Sequence, residues 1–450
     1  MRGFYFNTEE HTYFYNDING TVKPVPQNRV NEFIFSKEVS ENIDIQKATS
    51  EEIKENLLVN GLNQLTLIMT EECNIRCKYC IYSGIYENSR QHSNNYMSIE
   101  TAKKCCDIYM KERSKSKNIR PLKTPIIGFY GGEPLLNFKV IKETVEYVNQ
   151  TYGQVEYTIS TNGVLLTDEI IEFLANNNFL TAISLNGDKK ENDRMRVFAD
   201  GSGTYDKVKT NLTRIKKLYP EYVSKCVLLC TVDPGTDMED LEEFFTYGEL
   251  SDFKIVRLSQ VFNGFTNWYD QYNDETTGKY RMSIKKLREA YLQKLIENKD
   301  ITYLDRALFG TEYRNLLNRN MNIESSKLKP SFIGKTGLCI PGSKIAVSPN
   351  GEFHMCERIN NTRPIGDSEI GLDYDRIIKI IDEYNEKSKK CSVCPIERVC
   401  STCYVENINL DGSFNEPNED HCCNKRKHCM ENFIEIYSAI EKGFEPNNII

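Results

Sequence analysis

Three cysteines within eight residues open the chemical reading of this chain. The stretch EECNIRCKYCIYSG sets Cys73, Cys77 and Cys80 in a Cys-x3-Cys-x2-Cys array. Three thiolates on one tight loop can hold three irons of a [4Fe–4S] cube, leaving the fourth iron for an exogenous chelating ligand. Zinc is poorly served by this array, because structural zinc takes four ligands, commonly in paired Cys-x2-Cys spacing. A second set lies downstream: Cys339, Gly351-x4-Cys356, Cys391-x2-Cys394-x5-Cys400-x2-Cys403 and Cys422. Pairs of this kind serve zinc and iron–sulfur clusters alike, so a zinc-stabilised binding scaffold stays open as the alternative for this region. Visible absorbance bleached by dithionite separates the two metals, and about twelve irons per chain, against about four, separates three clusters from one.

The remaining composition narrows the class. Sixteen cysteines in 450 residues are too many for chance packing, and a reducing cytosol does not use them as disulfides. Cys105, Cys106, Cys226 and Cys230 fall in apolar periodic segments and are expected in the core. The net charge of −8 gives nucleic-acid binding no electrostatic support. No stretch reaches the roughly 18 apolar residues of a membrane span. The start, MRGFYFNTEE, turns polar at once and lacks the apolar core of a signal peptide. The expected location is the cytoplasm.

Strands and helices that would position the first cysteine loop alternate along residues 63–262. Strand patterns occur at 65–70, 125–130, 156–161, 180–186, 225–232 and 253–260, with helical patterns at 98–113, 139–152, 167–178 and 240–250. That rhythm predicts parallel strands joined by right-handed crossovers. Six units fall short of the eight of a closed barrel, so the expected fold is α/β: a partial (β/α)6 TIM-like barrel. The cysteine loop directly follows the first strand, at the carboxyl end where barrel active sites collect. Residues 1–62 predict an extension with a hairpin around Asn19-Gly20 and a capped helix over 49–62. Residues 263–330 predict a helical bridge. Residues 331–450 predict a small cysteine-rich α+β domain, held by metal more than by an apolar core.

Short motifs follow the next predicted strands in order: Gly131-Gly132-Glu133-Pro134, Ser160-Thr161-Asn162-Gly163, and Ser184-Leu185-Asn186-Gly187 with Asn192-Asp193-Arg194-Met195-Arg196. Together with the first cysteine array, in which Tyr79 holds the usual aromatic position, they resemble the radical S-adenosylmethionine (SAM) superfamily. The resemblance implies that the first cluster binds SAM and delivers an electron to its sulfonium. The resulting 5′-deoxyadenosyl radical then abstracts hydrogen from an unactivated carbon. It also implies cofactor contacts from Gly131, Gly132, Glu133, Ser160, Asn162, Ser184 and Arg196. Glu133 would meet the SAM amino group, and Arg196 its carboxylate. Relatives commonly read SLDGP where this chain has Asn186 and Asp188, which puts any acid–base role of that Asp in doubt.

The downstream cysteines resemble a SPASM domain, which in relatives holds two auxiliary [4Fe–4S] clusters. The resemblance gives Cys339, Cys356 and Cys403 to auxiliary cluster I, and Cys391, Cys394, Cys400 and Cys422 to auxiliary cluster II. Cys423 is an alternative to Cys422, and Cys429 is left over. Two residues, where relatives commonly have three, separate Cys400 from Cys403. No extra thiol follows Cys339 within Ile340-Pro341-Gly342-Ser343, so auxiliary cluster I is expected to keep an open iron for a substrate thiolate. Three [4Fe–4S] clusters and SAM are thus the implied cofactors. The implied activity is that of a ribosomal-peptide thioether maturase. Its partners would be a precursor peptide with a leader and an electron donor such as flavodoxin or ferredoxin; residues 1–62 have the hairpin and helix of an element that grips such a leader by strand addition, a barrel-capping extension being the alternative. An anaerobic sulfatase-maturating enzyme, oxidising Cys or Ser to formylglycine, is the alternative within the same catalytic class.

Overall fold

The computed structural model describes residues 2–26, 38–39, 46–116, 124–320, 332 and 338–446. Parts of the expected extension (27–37 and 40–45) and the last residues of the bridge (321–330) lie outside them.

The chain starts with β1 (Gly3–Asn7), β2 (Thr12–Asn16) and β3 (Thr21–Pro24), joined by β4 (Glu38–Val39) in a sheet of order β3-β2-β1-β4. The Asn19-Gly20 turn connects β2 and β3 as expected. The aromatic run GFYFN adds a further strand, so the expected hairpin is a meander. Alternation puts Phe4, Phe6 and Tyr15 on one buried face. That face packs on the C-terminal helix, away from the barrel. Helix α1 (Ser50–Asn60) follows, closed by a reciprocal capping box between Thr49 and Glu52.

Six strands then run parallel in sequential order: β5 (Gln64–Thr70), β6 (Ile126–Gly131), β7 (Glu156–Thr161), β8 (Leu180–Ser184), β9 (Cys226–Val232) and β10 (Lys254–Gln260). Helices α2 (Ile99–Ser114), α3 (Phe138–Tyr152), α4 (Asp168–Asn176), α5 (Lys189–Met195), α6 (Tyr205–Leu218) and α7 (Met238–Tyr247) supply the crossovers. Six of the seven residues of β5 are buried, the pattern of a strand covered on both faces. Cys105, Cys106 and Cys226 are fully buried, as their apolar settings implied. The bridge is helical where described, with α8 (Asp274–Ile296) and α9 (Thr311–Asn320) separated by a π-helical turn at Arg306–Gly310.

The C-terminal region departs from expectation. Strand β11 (Lys344–Val347) pairs parallel with β5, Ile345 opposite Leu65 and Val347 opposite Leu67. Strands β12 (Glu352–His354), β13 (Gly366–Asp367) and β14 (Gly371–Leu372) extend the same sheet to ten strands. Helix α10 (Tyr374–Lys387) buries Ile377, Ile380, Ile381 and Tyr384, and these join the apolar core that fills the barrel. The region therefore has an apolar core of its own, continuous with the first, and metal is not its only source of cohesion. A long helix, α11 (Glu419–Glu441), ends the described chain. Among the described residues no helix is long and apolar enough to cross a membrane.

Candidate active site at the carboxyl ends of the strands

The loop after β5 carries the three cysteines and is tied down along its length. Arg76 N–H donates to Val197 O at 2.7 Å and Lys78 N–H to Met195 O at 2.9 Å, so the segment leaving α5 braces it. On the other side, Gly132 N–H donates to Thr70 O at 2.9 Å and Glu133 N–H to Glu72 O at 2.9 Å. This approach explains the glycine pair. A Cβ on Gly131, whose φ is 143°, would lie 2.2 Å from Thr70 O, and one on Gly132 2.2 Å from Glu72 O.

Cys73, Cys77 and Cys80 open on a cavity of about 280 Å³. Gly131, Gly132, Ser160, Asn162, Ser184 and Arg196 line it, so six of the seven cofactor residues expected from sequence converge there. Glu133 does not. It is fully buried behind the wall, where Oε1 accepts from Thr161 Oγ1 at 2.7 Å and Leu135 N at 3.1 Å, and Oε2 from Asn162 N at 2.7 Å. Burial pushes this carboxyl up to about 7 against the pull of those three donors. Three of its roughly four lone-pair positions thus accept from protein donors, which hold the end of β7 against the glycine turn. Asn162 passes that order on, its Nδ2 donating to Asn74 Oδ1 at 2.7 Å in the cysteine loop.

Arg196 is 3% exposed, and its Nη1 donates to Tyr79 Oη at 2.9 Å. Its Nε has no partner, and neither has Nδ2 of the fully buried Asn186. Asn186 Oδ1 accepts from Thr231 N–H at 3.1 Å, so this departure from SLDGP has a structural use in linking β8 to β9. Orphaned donors beside an open cavity fit a ligand rich in acceptors, as SAM is with its carboxylate and ribose. Burial pushes the thiols of Cys73 and Cys80 up to about 12 and that of Cys77 upward, the last opposed by the Arg196 charge. Such thiols become thiolates when iron binds, with release of protons.

The C-terminal region also lines the cavity, which sequence reasoning did not place there. Glu357 and Arg358 reach it because β12 ends at His354, just before Cys356. Among the described residues Glu357 is the sole carboxylate of the lining. Its position directly after a candidate ligand was the available signal. Cys230, expected only as core, also forms part of the wall. The segment after β10, with Phe262 at the cavity, is anchored by the fully buried Asp233. That carboxylate accepts from Arg194 Nη2 at 2.7 Å, Trp268 Nε1 at 3.0 Å and Tyr272 Oη at 2.5 Å.

The downstream cysteines gather in two groups. Cys403 lies close enough to Cys356 to oppose its ionisation, and Cys339 and Cys403 both neighbour the buried Tyr404. Cys394 has Cys391 and Cys400 beside it. Cys429, which sequence left as a spare, is placed next to Cys394 and Cys400. Cys422 occupies the first turn of α11 and Cys423 faces solvent, its sulfur accepting from Arg426 at 3.0 Å. Among the described residues no three cysteine sulfurs lie within 4.8 Å of one another. Tetrahedral zinc, with bonds of about 2.3 Å, would bring its sulfurs to roughly 3.8 Å.

Comparison with known proteins agrees with this geometry. Residues 67–247 match the radical SAM superfamily. Over 339 residues the chain is 24% identical to a cysteine-type anaerobic sulfatase-maturating enzyme of Clostridium perfringens, spanning 71% of this chain and 83% of that enzyme. The solved structure of native anSMEcpe with bound AdoMet and Cp18Cys peptide superposes with a TM-score of 0.56 at 19% identity, over 86% of this chain and 99% of that one. Streptococcus suis SuiB bound to precursor peptide SuiA gives a TM-score of 0.50 at 14% identity, over 93% of this chain and 99% of the other. At these identities the two structures establish a shared fold.

Proposed function

We propose, on the premise of the radical SAM domain matched at residues 67–247, that this chain is a peptide-modifying enzyme that forms a thioether from a substrate cysteine. The observation that carries the reading is the shared cavity. Cys73, Cys77 and Cys80 open on it, and Glu357 and Arg358, next to Cys356, line the same space. A cluster and SAM bound at the three cysteines would supply a 5′-deoxyadenosyl radical, able to take hydrogen from an unactivated carbon.

The protein's own residues do the rest. Tyr79, Asn186 and Arg196 form a hydrogen-bonded set under the cysteine loop, and the free Nε of Arg196 is available to the SAM carboxylate. Ser160, Asn162 and Ser184 present polar groups at the ends of two successive strands, β7 and β8. Cys339, Cys356 and Cys403 would hold one auxiliary cluster. Cys391, Cys394 and Cys400 would hold the other with Cys422, and Cys429 stands beside them. Across the overall reaction the substrate loses one C–H and one S–H hydrogen and gains a C–S bond. One hydrogen atom would leave with the deoxyadenosyl group and the remaining proton would pass to solvent, while an auxiliary cluster held by Cys339, Cys356 and Cys403 would supply an acceptor for the electron.

Similarity over 339 residues to a sulfatase-maturating enzyme favours a second reading, oxidation of a Cys or Ser side chain to formylglycine. Mass spectrometry separates the two. The anaerobically reconstituted enzyme, SAM, dithionite and a precursor peptide encoded beside the gene should yield 5′-deoxyadenosine and a peptide lighter by two hydrogens, with its cysteine blocked to alkylation. An aldehyde trapped by hydrazide would favour formylglycine. No 5′-deoxyadenosine at all would remove both readings.

A further inference from the structure

The N-terminal sheet and the C-terminal cysteine loop interlock. Arg2, 1% exposed, donates from Nη1 to Ser392 O at 2.6 Å and pairs with Glu397 at 2.8 Å, while its Nη2 meets Asp17 at 2.7 Å. Asp17 in turn accepts from the backbone N–H of Arg398 at 2.9 Å, and the Arg398 side chain donates to Asp17 O at 3.1 Å and Ile18 O at 2.8 Å. Residues 392, 397 and 398 are the spacers between Cys391, Cys394 and Cys400. A loop with little regular structure must satisfy its buried backbone somehow, and here the first strands do it. The apolar side of the sheet completes the enclosure. Phe4 and Tyr15 pack on Phe433 with ring centroids 5.4 and 4.7 Å apart, and Cys394 and Cys429 pack against that same apolar group.

We propose that the N-terminal sheet is a built part of the second auxiliary-cluster site, fixing the Cys391–Cys400 loop in its ligating shape and keeping water from its sulfurs, with Arg2 as the positioning residue. The inference rests on reading those cysteines as cluster ligands. Two arginines and two carboxylates balance in the network, so it adds no net charge beside the sulfurs. Its contribution is therefore shape and exclusion of water, and the fork of Arg2 across three partners is something a lysine cannot reproduce.

The test uses the full chain, reconstituted anaerobically with iron and sulfide, comparing wild type with Arg2→Met and Arg2→Lys. Iron per chain and the EPR spectrum of the reduced protein are read with and without SAM, since SAM perturbs only the cluster at Cys73, Cys77 and Cys80. Arg2→Met should lose about a third of the iron, one cluster of three, and release the rest of its auxiliary iron to a chelator faster than wild type. Its SAM-responsive signal should persist, and Arg2→Lys should recover part of the loss. Full iron and an unchanged spectrum in Arg2→Met would overturn the proposal. If Arg2→Met proves insoluble, Asp17→Asn carries the same expectations and the same refutation. Wild type with iron for a single cluster would remove the ligand reading itself, and this inference with it.

Discussion

Replacing Glu133 by Gln changes no volume and removes one acceptor from a place where three donors converge. Oε1 serves Thr161 Oγ1 and Leu135 N–H, and Oε2 serves Asn162 N–H. Whichever way the new amide turns, one backbone N–H loses its acceptor and faces an NH2 group. An unsatisfied buried donor costs about 1–3 kcal/mol, which is roughly five- to a hundredfold in an equilibrium constant. The Gln also carries no charge, so the burial that pushes the carboxyl up to about 7 no longer opposes folding. The two effects act on different observables. Thermal unfolding of Glu133→Gln should match wild type or exceed it, whereas SAM binding to the reconstituted protein should weaken five- to a hundredfold, because Asn162 lines the cavity. Glu133→Ala, losing every acceptor, should weaken binding further. A Glu133→Gln protein that bound SAM with unchanged affinity would refute the argument that this carboxylate orders the site from behind.

Three more outcomes are expected. Changing Cys391, Cys394 and Cys400 together to Ala should remove auxiliary iron while 5′-deoxyadenosine formation without peptide continues, read by iron analysis and chromatography. Glu357→Gln should leave SAM cleavage intact and lower peptide modification, since this carboxylate lines the cavity from the C-terminal region and not from the strand ends expected to hold SAM; equal loss of both activities would contradict that division. Asp233→Asn should cost about 3 kcal/mol, at the low end for a broken buried pair because Arg194 keeps Glu191 at 2.6 Å. It should also expose residues 262–273 to protease, read by denaturant unfolding and limited proteolysis.

Much of the catalytic half was legible because its signals are local. Each barrel strand is a short apolar run before a helix, and the chemical residues stand at the strand ends in order, so pattern and chemistry reinforce one another. What escaped depends on pairing across distance. KIAV at 344–347 is too short to advertise that it adds parallel to β5, and nothing local tells which earlier strand offers a free edge. Glu133 shows a different limit. A sequence reveals a carboxylate at the right turn, but the direction in which it points is decided by which N–H groups the fold leaves without acceptors. Likewise Arg2 reads as an ordinary terminal charge until its three partners, far along the chain, surround it. Cys429 joined Cys394 and Cys400 because helix α11 crosses their loop, a fact that cysteine spacing does not carry.

The bond from Arg2 to Ser392 spans 390 positions of sequence. At synthesis speeds of roughly 5–20 residues per second, the first strand waits on the order of 20–80 s for the partner that completes its burial. Phe4, Phe6 and Tyr15 spend that interval without their cover, since Phe433 emerges later still. The barrel strands, contiguous between Gln64 and Gln260, can associate meanwhile. Folding of this protein is consequently ordered in time: the loop of Cys73, Cys77 and Cys80 is braced by residues up to Val197, whereas the loop of Cys391, Cys394 and Cys400 takes its final form only after Phe433 has emerged.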